Sequence, residues 1–224
     1  MKRITQILIA LALASSVALA EKKLPVGLML NLDFQNVQDG LIPNKSLYPL
    51  HVPKGELGME WANHRYMLAI QSGQGLSIPH SSLLDPDGSE WVVTVRAFVL
   101  TDGLVLSQGN DEHGYAIYIK DHTVQATVRT SHIAMTLQEG TYLGINKYRN
   151  QWVTIELRIK KDKAYLLLNR KMVAKLDLDA PLKGENMHIR IGNHQALPTV
   201  LKNKPGSTTT GFTGAISSLK VIRQ

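Results

Sequence analysis

The chain has 224 residues, no cysteine and a formal charge of +7, of which Lys2 and Arg3 supply two. Without cysteine there is neither a disulfide framework nor a lipid-attachment site, so the fold must rest on core burial, which a chain of this size supports by burying about 70% of its unfolded surface. The basic excess forms no block of five or six like charges, which argues against a nucleic-acid tail and reads as a mildly basic solvated surface; attraction to acidic polysaccharide stays physically open.

Residues 1–20 read as an export signal. Lys2 and Arg3 form the positive start, an apolar run begins at Ile7, and Ala18-Leu-Ala20 is a small-x-small cleavage pattern. The run, about a dozen residues, is too short for a bilayer, which needs roughly 20. No second apolar segment is longer. The expectation is cleavage after Ala20 and a soluble bacterial protein, secreted or periplasmic.

Residues 21–224 read as one domain, with no linker or internal repeat. Apolar residues alternate at Leu28, Leu30, Leu32 and Phe34, then at Trp91, Val93, Val95, Ala97 and Val99. The pattern recurs at Tyr115, Ile117 and Ile119, and at Val124, Ala126 and Val128. Its cleanest instance is Val153, Ile155, Leu157 and Ile159, with Trp152, Thr154, Glu156 and Arg158 opposite. Period two predicts strands with one face in a core and the other toward solvent or ligand. Many such strands predict an all-β sandwich or barrel. Residues 54–65 read as a short turn or irregular strand. Hairpins are predicted at Asp121-His122 and Asn169-Arg170, although each lacks the usual glycine. The aperiodic stretch 193–211 is a long connection of functional or disordered type.

The C-terminal stretch Gly211-Phe-Thr-Gly-Ala-Ile, with Trp152-Val-Thr-Ile-Glu-Leu and Ile189-Arg-Ile-Gly-Asn193, resembles the closing strands of laminin-G and concanavalin A-like (pentraxin-like) lectin domains. Gly75-Leu-Ser-Ile-Pro79, Gly103-Leu-Val-Leu-Ser and Tyr165-Leu-Leu-Leu-Asn-Arg extend the likeness over roughly residues 28–222. The resemblance implies an all-β, two-sheet antiparallel jelly-roll sandwich of the concanavalin A-like lectin/glucanase type. It further implies that Trp152 is a packing residue. The chain departs from the pattern at Asn169-Arg170, at Asn193 and in the length of the loop that follows.

Some domains of this kind hold calcium at the sandwich rim, which points to Asp111 and Glu112, with Asn193 as a second contributor. An ordinary solvated acidic loop is the competing reading. Calcium wants six to eight oxygen ligands. For sugar contact, Tyr142, Asn146, Tyr148 and Arg149 share one loop, where rings would meet apolar sugar faces and polar groups would meet hydroxyls; anchoring of the loop is the alternative. Tyr118 and Trp152 are further candidates for rings on polar strand faces, with packing the favoured reading for Trp152. The Glu-x-Asp-x-x-Glu motif of glucanases is absent, as are a Gly-x-Ser-x-Gly elbow and His-Glu-x-x-His. Asp177 and Asp179 read as solubilising charge, and the eight histidines show no metal-ligand spacing. The expected function is non-catalytic binding of a polysaccharide or cell-surface glycan, with or without calcium. A hydrolase acting on sugars and a protein-adhesion module are the alternatives.

Overall fold

The computed structural model describes residues 26–46, 52–62, 65–71, 73–109, 113–121, 123–130, 134–138, 150–184, 186, 188–192 and 212–224. The alternation at Val153, Ile155, Leu157 and Ile159 becomes one long strand, with these four side chains buried and their neighbours partly exposed. In chain order the strands are β1 (Gly27–Asp33), β2 (Leu41–Ile42), β3 (Val52–Pro53), β4 (Met59–Ala62), β5 (Arg65–Ile70) and β6 (Gly75–Ile78). After a 3-10 turn at Ser82–Leu84 come β7 (Trp91–Val99), β8 (Gly103–Gly109), β9 (Gly114–Lys120), β10 (Thr123–Arg129) and β11 (Ala134–Gln138). The last five are β12 (Gln151–Lys160), β13 (Lys163–Leu168), β14 (Lys171–Asp177), β15 (His188–Gly192) and β16 (Gly214–Arg223).

Two antiparallel sheets form the sandwich. One runs β14-β13-β12-β7-β16-β5-β4, with β1 also on β16; the other runs β11-β10-β9-β8-β15-β6. Strand β16 lies against β7 along one edge and shares its other edge between two partners. Gly214 to Ile216 pair with β5, and Ser218 to Arg223 pair with β1. The two sheets enclose one apolar core that takes in Phe34, Trp91, Tyr115 and Phe212. The segment 54–65 opens with a turn after β3, contains β4 and ends where β5 starts at Arg65.

Both hairpins turn in two residues. Lys120 pairs with Thr123, and Leu168 pairs with Lys171. Asn169 and Arg170 both take positive φ, 49° and 71°, and the Asn169 Oδ1 accepts from the Thr154 amide at 3.0 Å. The side-chain bond anchors a turn that lacks glycine.

The six-stranded sheet departs from the expected one-sided pattern. β8, β9 and β10 are buried on both faces. One cross-strand row on the face away from the core reads Thr136, Thr127, Ala116, Ser107, Arg190, Ser77. Tyr118 belongs to this face and is not an open sugar platform. It is buried with Leu104 and Ala116, and its hydroxyl lies 3.2 Å from Thr127 Oγ1. Only the flanks of the row, including Arg190 and Ser77, are partly exposed. Trp152, on the other sheet, packs beside Phe98 at 5.5 Å and under Arg96 at 5.6 Å, in keeping with a packing role. Asp179 lies beyond β14 and accepts from the Thr130 hydroxyl, so it ties two segments together rather than serving as free surface charge.

Candidate functional site

The loop from β6 to β7 carries Asp85-Pro-Asp-Gly-Ser89, a turn composition in which proline and glycine fix the backbone. Ser81 caps the 3-10 turn by accepting from the Leu83 amide at 3.3 Å. Buried side chains then hold three successive carbonyls. Arg223 donates to the carbonyls of Leu83 at 3.2 Å and Asp85 at 2.6 Å. Gln108 donates to the carbonyl of Leu84 at 2.6 Å, and Tyr115 donates to Gln108 Oε1 at 2.7 Å. Arg223 is 1% exposed and lies over the Trp91 ring at 5.4 Å. A guanidinium so deeply desolvated is tolerable because carbonyls, an aromatic face and Asp87 Oδ1 at 3.8 Å surround it. The loop backbone is therefore set from beneath before any ligand arrives.

On the outer side, Asp85 Oδ2 accepts from the Asn186 amide at 3.1 Å and lies 3.0 Å from His80 Nε2. Asp87 Oδ1 accepts from the Ser89 amide at 3.1 Å and the Ser89 hydroxyl at 2.5 Å. Burial pushes the Asp87 carboxyl up, but the Ser89 bonds and the Arg223 charge outweigh it and hold the group below its ordinary range. Burial alone pushes the Tyr115 hydroxyl well above its ordinary value. Asp87 pairs with Lys183 in an antiparallel bridge, and Gly184 donates to the Pro86 carbonyl at 3.0 Å. A Cβ on Gly88 would stand 2.7 Å from Lys183 Cε, so glycine lets the lysine stem cross the turn.

These segments border a cleft of about 420 Å³ lined by His80, Ser82, Asp85, Asp87, Lys183 and Asn186. His188 extends it: its ring lies 5.5 Å from that of His80, and Arg190 follows on the same face of β15. A second cleft, about 440 Å³, lies between residues 53–57 and 73–77. Its lining includes three glycines, Gly55, Gly73 and Gly75, and Lys54 Nζ is spent on the carbonyls of Gly55 and Leu57. The His80–Lys183 cleft offers more side-chain chemistry and is the stronger candidate. Among the described residues, no group of three or more His, Asp or Glu side chains is arranged to hold a metal. No helix among them is long and apolar enough to cross a membrane.

The sequence-predicted Asp111, Glu112, Tyr142, Asn146, Tyr148, Arg149 and Asn193 lie outside the described residues, as do the export segment 1–20 and the loop 193–211. Their anchors are described. Gly109 and Gly114 bracket the acidic pair, and Gly109 stands opposite His188 at the end of β15 nearest the cleft. Gly192, which precedes Asn193, is at the other end of β15. Gln138 and Gln151 bracket the tyrosine loop. Sequence reasoning missed His80, Asp85, Asp87, Lys183, His188, Arg190 and Arg223. The only local signal was the Asp-Pro-Asp-Gly turn; the remaining contacts join residues far apart in the chain.

No protein-family model and no curated protein matches the chain. Solved structures do. The binding domain of botulinum neurotoxin serotype G matches with a TM-score of 0.62 at 11% identity, covering 88% of this chain and 48% of that one. The binding domain of botulinum neurotoxin DC in complex with SialylT matches with a TM-score of 0.58 at 10% identity, covering 87% and 47%. The CBM40 domain of Ruminococcus gnavus IT-sialidase, bound to α2,3 sialyllactose, matches with a TM-score of 0.50 at 16% identity, covering 70% and 89%. The chain spans about half the length of the toxin binding domains. At these identities the likeness is one of fold, an all-β architecture used by carbohydrate-binding domains.

Proposed function

We propose that this chain is a non-catalytic glycan-binding module acting outside the cell, with the His80–Lys183 cleft as its principal contact. The observation that carries the reading is a polar cleft whose loop is fixed from beneath by Arg223, Gln108 and Tyr115. Sugars are strongly hydrated and offer little net gain per contact, which favours a site that loses little freedom on binding. Neighbours of the same fold whose ligands are sialylated glycans support the assignment.

In this reading Tyr142, Asn146, Tyr148 and Arg149 add sugar contacts from a separate loop. Calcium, held by Asp111 and Glu112, assists. A glycan array run with and without chelator tests the proposal. Binding by the wild-type chain, reduced at least about tenfold in His80→Ala/Asn186→Ala, is expected. Absence of any bound glycan in both conditions would remove the reading. Equal binding with chelator would remove only calcium from it.

A further inference from the structure

We infer that the cleft selects carboxylated sugars, with Lys183, His188 and Arg190 receiving the carboxylate; the inference rests on the glycan-binding reading. It follows from which polar groups at the cleft already have partners. Asp85 is engaged by the Asn186 amide and His80, and its side chain is only 11% exposed. Asp87 is engaged by Ser89 and faces Arg223. The two carboxylates lining the cleft are thus engaged by the fold itself.

The donors are not. Lys183 lines the cleft and Arg190 lies two residues beyond His188, and neither forms an ion pair among the described residues. His188 is exposed, and among the described residues its ring meets that of His80. Arg190 is flanked across the sheet by Ser77 and Ser107, neither of which carries charge to neutralise it. The result is donors to spare, Lys183 at the cleft and His188 and Arg190 next to it along β15, beside carboxylates already engaged. A neutral polyol needs donors and acceptors in similar number. A carboxylate supplies two acceptor oxygens and a charge, and arginine receives it through paired N–H groups.

Sialic and uronic acids present the same group, and the probes separate them. Titration calorimetry of the full chain with 3′-sialyllactose, trigalacturonate and lactose should give binding to at least one acid and at least about tenfold weaker binding to lactose. Lys183→Gln/Arg190→Gln should weaken the bound acid about tenfold or more and leave lactose unchanged. A control pair on the opposite sheet, Lys171→Gln/Lys175→Gln, should change neither. Circular dichroism and melting temperature establish that each variant is folded.

Equal affinity for lactose and both acids overturns the selectivity and leaves the glycan-binding reading standing. An equal effect of the control pair overturns the site by assigning the attraction to diffuse surface charge. Binding of none of the three sugars, together with an empty glycan array, overturns the underlying reading as well.

Discussion

Arg223 and Asp85 meet backbone to side chain: the guanidinium donates to the Asp85 carbonyl at 2.6 Å, while the Asp85 carboxylate faces the other way, toward His80 at 3.0 Å. One residue thus links a buried cation to the wall of the cleft. Removing the cation should be felt on both sides. Arg223→Met strips donors from the Leu83 and Asp85 carbonyls and is expected to cost about 3 kcal/mol. For a chain of this size that is a fall in melting temperature of about 6–12 °C. Arg223→Lys should lie between the two, since one ammonium cannot reproduce the fork. A melting curve of Arg223→Met unchanged from wild type would contradict the role given to this residue.

Tyr115→Phe should cost about 1–3 kcal/mol, because Gln108 Oε1 would be left buried without its donor. The phenol also predicts an alkaline effect. Its folded pKa is raised above the ordinary value of 10.0, so the fold favours the neutral form. That stability is complete below pH 10 and declines as pH rises from there toward the folded value. Urea unfolding from pH 8 to about 12 should show the decline in wild type and a shallower one in Tyr115→Phe.

The acid side has the opposite sign. Asp33 and Asp87 are both held below their ordinary value of 3.8. In each, burial raises the value and is outweighed. At Asp33 the lowering comes from bonds from Lys45, Asn36 and Gln35 and from the Lys45 charge; at Asp87 it comes from Ser89 and Arg223. Their contribution is present above the unfolded value and is lost as pH falls through and below it. Both groups are partly exposed, so Asp33→Asn or Asp87→Asn should remove no more than about 1 kcal/mol at neutral pH. Either variant should flatten the stability profile between about pH 5 and 2; profiles that overlay wild type after scaling would count against both ion assignments.

The Asn169-Arg170 turn offers a gain. Asparagine tolerates a left-handed backbone, whereas Arg170 at φ 71° bears the cost of its Cβ there. Arg170→Gly should raise stability by about 0.5–1 kcal/mol, or about 2 °C in melting temperature. A lower melting temperature would mean that the arginine side chain supplies a contact that outweighs the backbone.

Much of the scaffold was legible because period two reports directly on which side chains enter a core. Val153, Ile155, Leu157 and Ile159 are buried as their alternation requires, and Phe212 and Gly214 lead into the strand at the centre of the larger sheet. Alternation fails where both faces are covered. Ala116, Tyr118 and Thr127 fall on the face that the pattern assigns to solvent, yet all three are buried. The cleft was less legible still. Arg223, the last residue of its strand and next to the polar Gln224, resembles a solvated terminal charge. Nothing local shows that it reaches Asp85, 138 positions away. His80 and His188 likewise meet only through tertiary placement.

The divided edge of β16 bears on the order in which the molecule can be assembled. Apart from a bridge to Asn44, the described ladder of β1 is with Ser218 to Arg223, at the far end of the fold in sequence. The larger sheet closes only when these distant segments meet, and contacts of such long sequence separation make closure slow. Until then, the apolar residues of β1 and β7 stand open to chaperones or to one another in neighbouring chains.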